Sequence, residues 1–170
     1  MKNKLIIAIS FLILFTCEKD DICEEGAAII PRLIVTFYNA QIPEEKKSAD
    51  NFLLYGIYDN NDTIYFETAS PRSTDSIIVP LKTNTNLTTL YFHKDIDVNA
   101  DDIMESGNSD AIDFSYTRQE VYISRACGYI YNYFDLNPSI VSDSSNWILS
   151  TEIISSTIEN EIESHVKIFH

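Results

Sequence analysis

The sequence predicts an all-β protein, an antiparallel two-layer β-sandwich of about nine or ten short strands, and three observations predict it. Apolar residues come in short runs divided by polar turn residues, with almost no stripe at 3.6-residue spacing. The chain holds 19 Phe and Tyr, ring residues that favour pleated, half-buried surfaces. It has only four Gly, so little of it is flexible linker. A partly open β-barrel shares this signature and is the alternative.

The first element is not part of that sandwich. Lys2 and Lys4 precede an apolar run from Leu5 to Phe15, broken only by Ala8 and Ser10. As a helix this run reaches about 16 Å, against about 30 Å of bilayer hydrocarbon, so it reads as a signal peptide over residues 1–16 rather than a membrane span. The run ends in Leu14-Phe15-Thr16-Cys17, which resembles the lipobox of bacterial lipoproteins, with Leu three positions before the cysteine and a small residue directly before it. The resemblance implies that the Cys17 thiol takes a diacylglyceryl group and its freed α-amine a third chain. Each buried acyl CH₂ is worth about 0.8 kcal/mol, so two chains already anchor a protein stably.

Residues 17–30 then form an acidic tether. Glu18-Lys19-Asp20-Asp21 is similar to the Lys-acidic-acidic signal behind the lipidated cysteine of surface-exposed lipoproteins in the Bacteroidota. Glu18, Asp20, Asp21, Glu24 and Glu25 outnumber Lys19, so anionic headgroups repel the tether. Removal of residues 1–16 takes away Lys2 and Lys4 and no acid, which moves the formal charge from −14 to −16. Nucleic acid is excluded as a partner, because phosphate binding needs a basic patch that the dispersed Lys and Arg do not supply. Besides Cys17 the chain has only Cys23 and Cys127. In an oxidising compartment such a pair is expected to be a disulfide.

Residues 31–170 are long enough for one β-sandwich domain with a real core. Arg32–Asn39 alternates as a strand. Phe52–Tyr58 and Thr63–Thr68 flank Asp59-Asn60-Asn61-Asp62, residues that tolerate turn conformations, and predict a hairpin. Ser76–Leu81 and Leu87–His93, about Lys82–Asn86, predict a second, with Pro80 confining its strand to an edge. Lys94–Asp110 is polar and reads as the longest loop. Ile112–Tyr116, Glu120–Cys127, Tyr129–Phe134, Trp147–Ile154 and His165–Phe169 complete the strands.

Four stretches carry a wider resemblance: Asp20-Asp21-Ile22-Cys23, Pro31-Arg32-Leu33-Ile34-Val35, Ser124-Arg125-Ala126-Cys127-Gly128-Tyr129 and Glu163-Ser164-His165-Val166-Lys167-Ile168-Phe169. Together they resemble the pattern of a family of Bacteroidota lipoproteins of unknown function, over most of the mature chain. The resemblance implies an exported, lipid-anchored domain in which Cys23 pairs with Cys127, and it implies no activity.

Chemistry must then be sought residue by residue. Asp95-x-Asp97-x-Asn99, followed by Asp101 and Asp102, places hard oxygen ligands at alternating positions as calcium loops do. Ala100 and Ser106 stand where an EF-hand needs Gly and Glu, so a solvated acidic loop is the stronger reading. His93, His165 and His170 are too scattered for a zinc motif, no serine sits in a nucleophile elbow, and acid pairs such as Glu159 and Glu161 are frequent in so acidic a chain. Arg125 falls in the apolar phase of its predicted strand, which calls for a carboxylate partner such as Asp113 or Glu152. Tyr129, Tyr131 and Tyr133, with Trp147, offer rings for sugar stacking. Asp62-Thr63-Ile64 and Asp75-Ser76-Ile77 are similar to the O-glycosylation acceptor pattern of exported Bacteroidota proteins, at Thr63 and Ser76. No cofactor is implied. The expected function is that of a lipid-anchored outer-membrane component, held on the surface-exposed face if the tether signal acts, that binds an envelope protein or glycan; an envelope hydrolase or glycan-binding module is the alternative.

Overall fold

The computed structural model describes residues 22–23, 29–57, 62–66, 71–97 and 106–170. Ten strands build it: β1 (Leu33–Tyr38), β2 (Ala49–Ile57), β3 (Thr63–Tyr65), β4 (Arg72–Thr74), β5 (Ser76–Val79), β6 (Leu87–Lys94), β7 (Asn108–Ser124), β8 (Gly128–Val141), β9 (Ser150–Ile153) and β10 (Val166–Phe169). They form two packed sheets: a four-stranded one ordered β5-β1-β10-β9, and a six-stranded one ordered β3-β2-β6-β7-β8 with β4 beside β2. The β-sandwich read from the alternating pattern is the fold.

Alternation decides which residues make the core. From the small sheet Leu33, Val35, Phe37, Ile77, Val79, Val166 and Ile168 point inward, and from the large one Leu54, Leu90, Phe92, Ile112, Phe114 and Tyr133 meet them. Phe37 lies at the ring-rich centre, 5.3 Å from Phe52, 6.3 Å from Trp147 and 6.4 Å from Phe92 between centroids. β1 is buried on both faces, because Ser164 and His165 cover its outer side: Thr36 Oγ1 lies 3.0 Å from Ser164 Oγ, and the Ile34 N–H donates to His165 Nδ1 at 3.0 Å.

Four expectations are corrected. Ser76–Leu81 and Leu87–His93 do not form a hairpin, since β5 pairs with β1 in one sheet and β6 with β2 and β7 in the other. The connector crosses between layers, and its backbone is held by side chains: the hydroxyls of Tyr133 and Tyr116 donate to the carbonyls of Leu81 (3.4 Å) and Lys82 (2.8 Å), and Arg118 donates to that of Thr83. Pro80 does follow a strand at a sheet edge. The sandwich is not wholly antiparallel, because β1 and β10 pair in parallel, Val35 opposite Val166. Ile112–Tyr116 and Glu120–Ser124 belong to one 17-residue strand, β7, and Arg125–Cys127 form the turn after it; the polar middle, Thr117–Glu120, keeps pleating where it faces solvent. Arg125 is in no apolar strand phase but exposed in the turn after β7, while Asp113 accepts from Thr89 Oγ1 (2.6 Å) and Glu152 pairs with Lys167 (3.7 Å).

The chain divides into two compact units. One comprises Ile30–Gln119 and Tyr131–His170 and holds the core described above. The other includes Ile22, Cys23, Ile29 and the hairpin end Glu120–Ile130. In that second unit Cys23 and Cys127 are joined by a disulfide, 4.8 Å between Cα atoms. The turn carrying Cys127 is closed by its own N–H donating to Ser124 Oγ (3.0 Å), and Gly128 leaves it at φ 72°, a conformation that L side chains rarely adopt.

Candidate functional site

A cleft of about 280 Å³ opens in the larger unit, near the lower end of the range for small-molecule pockets. Its floor and walls follow from the layer-crossing connector. Gly56 and Ile57 end β2, Ile64 and Phe66 come from β3 and the residue after it, Leu90 from β6, and Pro80–Asn84 close the side. Gly56 leaves room for the Phe66 ring, which a Cβ there would approach to 3.4 Å. The lining is mainly apolar, with Lys82, Thr83, Asn84, Thr88 and Thr89 as polar members. No ion pair is formed by Lys82 among the described residues.

Behind that wall is a closed polar circuit. The Lys82 N–H donates to Thr88 Oγ1 (2.9 Å), Thr88 and Tyr116 share a 2.6 Å hydroxyl bond, and Tyr116 returns to the Lys82 carbonyl. Burial pushes the Tyr116 phenol up from its ordinary value. The Tyr133 phenol is pushed up to about 12, first by burial and then by Tyr116 beside it. Both are fixed as neutral donors over any ordinary pH, so the wall is rigid chemistry and not a proton relay.

On the outer face of the large sheet, Tyr65, Tyr55 and Tyr91 stand in one cross-strand row on β3, β2 and β6. The Tyr55 and Tyr91 rings stack at 4.9 Å and 6°, Tyr55 lies 6.2 Å from Tyr65, and the Tyr55 hydroxyl is 3.1 Å from Ser109 Oγ. Sequence reading missed this row, although Tyr55 and Tyr65 lie in the two strands of the predicted first hairpin. The expected set, Tyr129, Tyr131, Tyr133 and Trp147, is not a platform. Tyr133 is fully buried, Trp147 is buried with Nε1 donating to the Phe92 carbonyl (3.1 Å), and only Tyr129 is freely exposed.

The histidines serve the backbone. His165 is buried, its Nδ1 accepting from the Ile34 N–H, and burial pushes it below its ordinary value, opposed by the Asn160 backbone and the charges of Glu163 and Glu161. Burial likewise lowers His170, whose Nε2 lies 3.2 Å from the Lys47 carbonyl, and His93. Glu161 forms a two-point pair with Arg32 (2.6 and 2.8 Å), which lowers its carboxyl, and Glu159 accepts from Asn132 (3.2 Å). Glu161 and Glu159 are thus engaged with Arg32 and Asn132, and His165 Nδ1 with the Ile34 N–H.

Of the calcium candidates, Asp95 turns to Lys94 (3.4 Å) and Asp97 is exposed, while Asn99 and Asp101 lie outside the described residues, as do Cys17 and the signal peptide. Among the described residues no group of three or more His, Cys, Asp or Glu side chains is placed to hold a metal ion. Thr63 is exposed at the start of β3, whereas Ser76 is half-buried at the start of β5. Among the described residues no helix is long and apolar enough to cross a membrane. Comparison with curated proteins and with solved structures gives no match. The model of a family of unknown function (DUF6452) matches residues 51–170, the greater part of the chain, and the chain belongs to that family.

Proposed function

We propose that this protein is an exported, lipid-anchored component of the bacterial outer membrane, of the Bacteroidota kind, that binds an envelope partner. The observation that carries the reading is the Cys23–Cys127 disulfide, six residue steps beyond the lipobox-like Cys17. A disulfide belongs to an oxidising compartment, and the Leu14–Cys17 stretch supplies the means of reaching and staying in one. Buried, backbone-bonded histidines and dispersed acids favour a binding role over hydrolysis.

The test is expression of the full chain in a Gram-negative host fed an alkyne-tagged fatty acid, with fractionation and intact mass. The wild type should carry the tag and sediment with membranes, and Cys17→Ala should lose both properties. A wild-type chain that is cleaved, untagged and soluble refutes the anchor. A second reading, glycan binding, draws on the Tyr65-Tyr55-Tyr91 row and not on Tyr129–Trp147. Loss of glycan-array signal in Tyr65→Ala, with Tyr129→Ala unchanged, is its expected result; equal signal in all three chains refutes it.

A further inference from the structure

We propose that the end of the β7–β8 hairpin is a membrane-docking surface for zwitterionic phospholipid, held against the bilayer by the disulfide. The inference rests on the lipid anchor proposed above and adds the surface that the anchor presses to the membrane. Tyr122 and Tyr129 face each other across this hairpin at 5.2 Å and are 57% and 61% exposed, and Ile22, next to Cys23, is 81% exposed. All three belong to the unit that the disulfide closes.

Tethering supplies the reason for the occupant. Six residue steps from Cys17 to Cys23 span at most about 20 Å, so the disulfide cannot stray farther than that from a lipid on Cys17. The headgroup layer is about 5–8 Å deep on each side of the hydrocarbon, well within that reach. Tyrosine suits this layer, its ring lying among acyl carbons and its hydroxyl in the headgroups. Two rings would bind vesicles weakly by themselves. A short tether raises their effective concentration to the millimolar range or above, where weak docking is populated.

Charge selects the lipid. The hairpin end holds one acid, Glu120, and one base, Arg125, and is formally neutral, whereas Glu18, Asp20 and Asp21 against Lys19 make the tether anionic. Anionic headgroups repel that tether within about 10 Å at ordinary salt, and zwitterionic ones do not.

The test uses the lipidated full chain in phosphatidylcholine vesicles with brominated acyl chains. Trp147, buried in the core, gives an unquenched background, and Tyr122→Trp places a second indole on the docking surface. The added emission should be blue-shifted and quenched at least twofold. Quenching should fall severalfold in the Cys23→Ser, Cys127→Ser chain, which keeps its anchor, and on phosphatidylglycerol vesicles at low salt, with recovery as salt is raised. Unquenched Tyr122→Trp emission from a chain whose intact mass carries the acyl groups overturns the docking alone. A mass without acyl groups overturns the anchor, and the docking with it. Quenching that survives loss of the disulfide also overturns the proposal, because the hairpin end would then need no staple.

Discussion

Lowering the pH through the histidine range should destabilise this protein, and His165 gives the effect a definite structural origin. Its Nδ1 is an acceptor for the Ile34 N–H near the start of β1, so the folded state needs the neutral ring. Burial places its folded pKa below the ordinary histidine value of about 6.5. Between those two values the unfolded chain binds the proton and the folded chain does not. Stability is therefore fully present above about pH 6.5 and is lost as pH falls toward the folded pKa, below which the loss levels off. One proton sets the limit at about 1.4 kcal/mol per pH unit, or about 3–5 °C in Tm for a chain of this size. His93 and His170 are shifted the same way and add to the total slope, so the assay must isolate His165. His165→Asn offers an amide oxygen near the Nδ1 position and does not titrate. Differential scanning calorimetry of both proteins from pH 8 to 5 should show a Tm difference that narrows on acidification, because only the wild type loses the His165 contribution. A pH-independent difference refutes the reasoning.

Two further perturbations address the core and its buried carboxylate. Phe37→Ala empties the ring-lined centre and should cost about 3–5 kcal/mol in urea unfolding; a cost under about 1.5 kcal/mol would mean that Phe52, Phe92 and Trp147 close over the space. Asp110 is fully buried, with Oδ2 accepting from the Ile148 N–H (2.7 Å) and no hydrogen-bond partner on Oδ1 among the described residues. Asp110→Ala strands that N–H and should cost about 1–3 kcal/mol, whereas Asp110→Asn keeps an acceptor and should cost less; equal costs for the two in urea unfolding would refute the capping role.

What the sequence disclosed follows the range of each physical signal. Period-two alternation is local, and it located β1, β6 and β10. The β2–β3 hairpin was legible because turn-tolerant residues separate two apolar runs that pair directly, Tyr55 opposite Tyr65. The same logic failed at Lys82–Asn86. The choice between hairpin and crossover there depends on Tyr116, Arg118 and Tyr133, all more than thirty positions away, and no local pattern carries that information. The parallel β1–β10 pair was hidden for a similar reason, since its partners lie 131 positions apart, Val35 and Val166. The tyrosine row was obscured because a ring's exposure depends on what the neighbouring layer covers: Tyr129 and Tyr133 share a strand phase, yet one is exposed and the other wholly buried.

The disulfide joins the compartment to the thermodynamics. Cys23 and Cys127 are 104 positions apart, and the loop they close contains β1 to β7, so the bond restricts the unfolded state of almost the whole large sheet. The chain-entropy model gives about 4.7 kcal/mol for a loop of this length, a large part of the roughly 5–15 kcal/mol that holds a domain folded. Made in a reducing cytosol, the same chain should fold with much less reserve. Unfolding midpoints with and without reductant measure this, and Cys23→Ser with Cys127→Ser should reproduce the reduced value. A drop near 4 kcal/mol means that closing the disulfide completes the fold. A drop under about 1 kcal/mol means that the bond acts only on the hairpin end, and that the sandwich is as stable before the bond closes as after it.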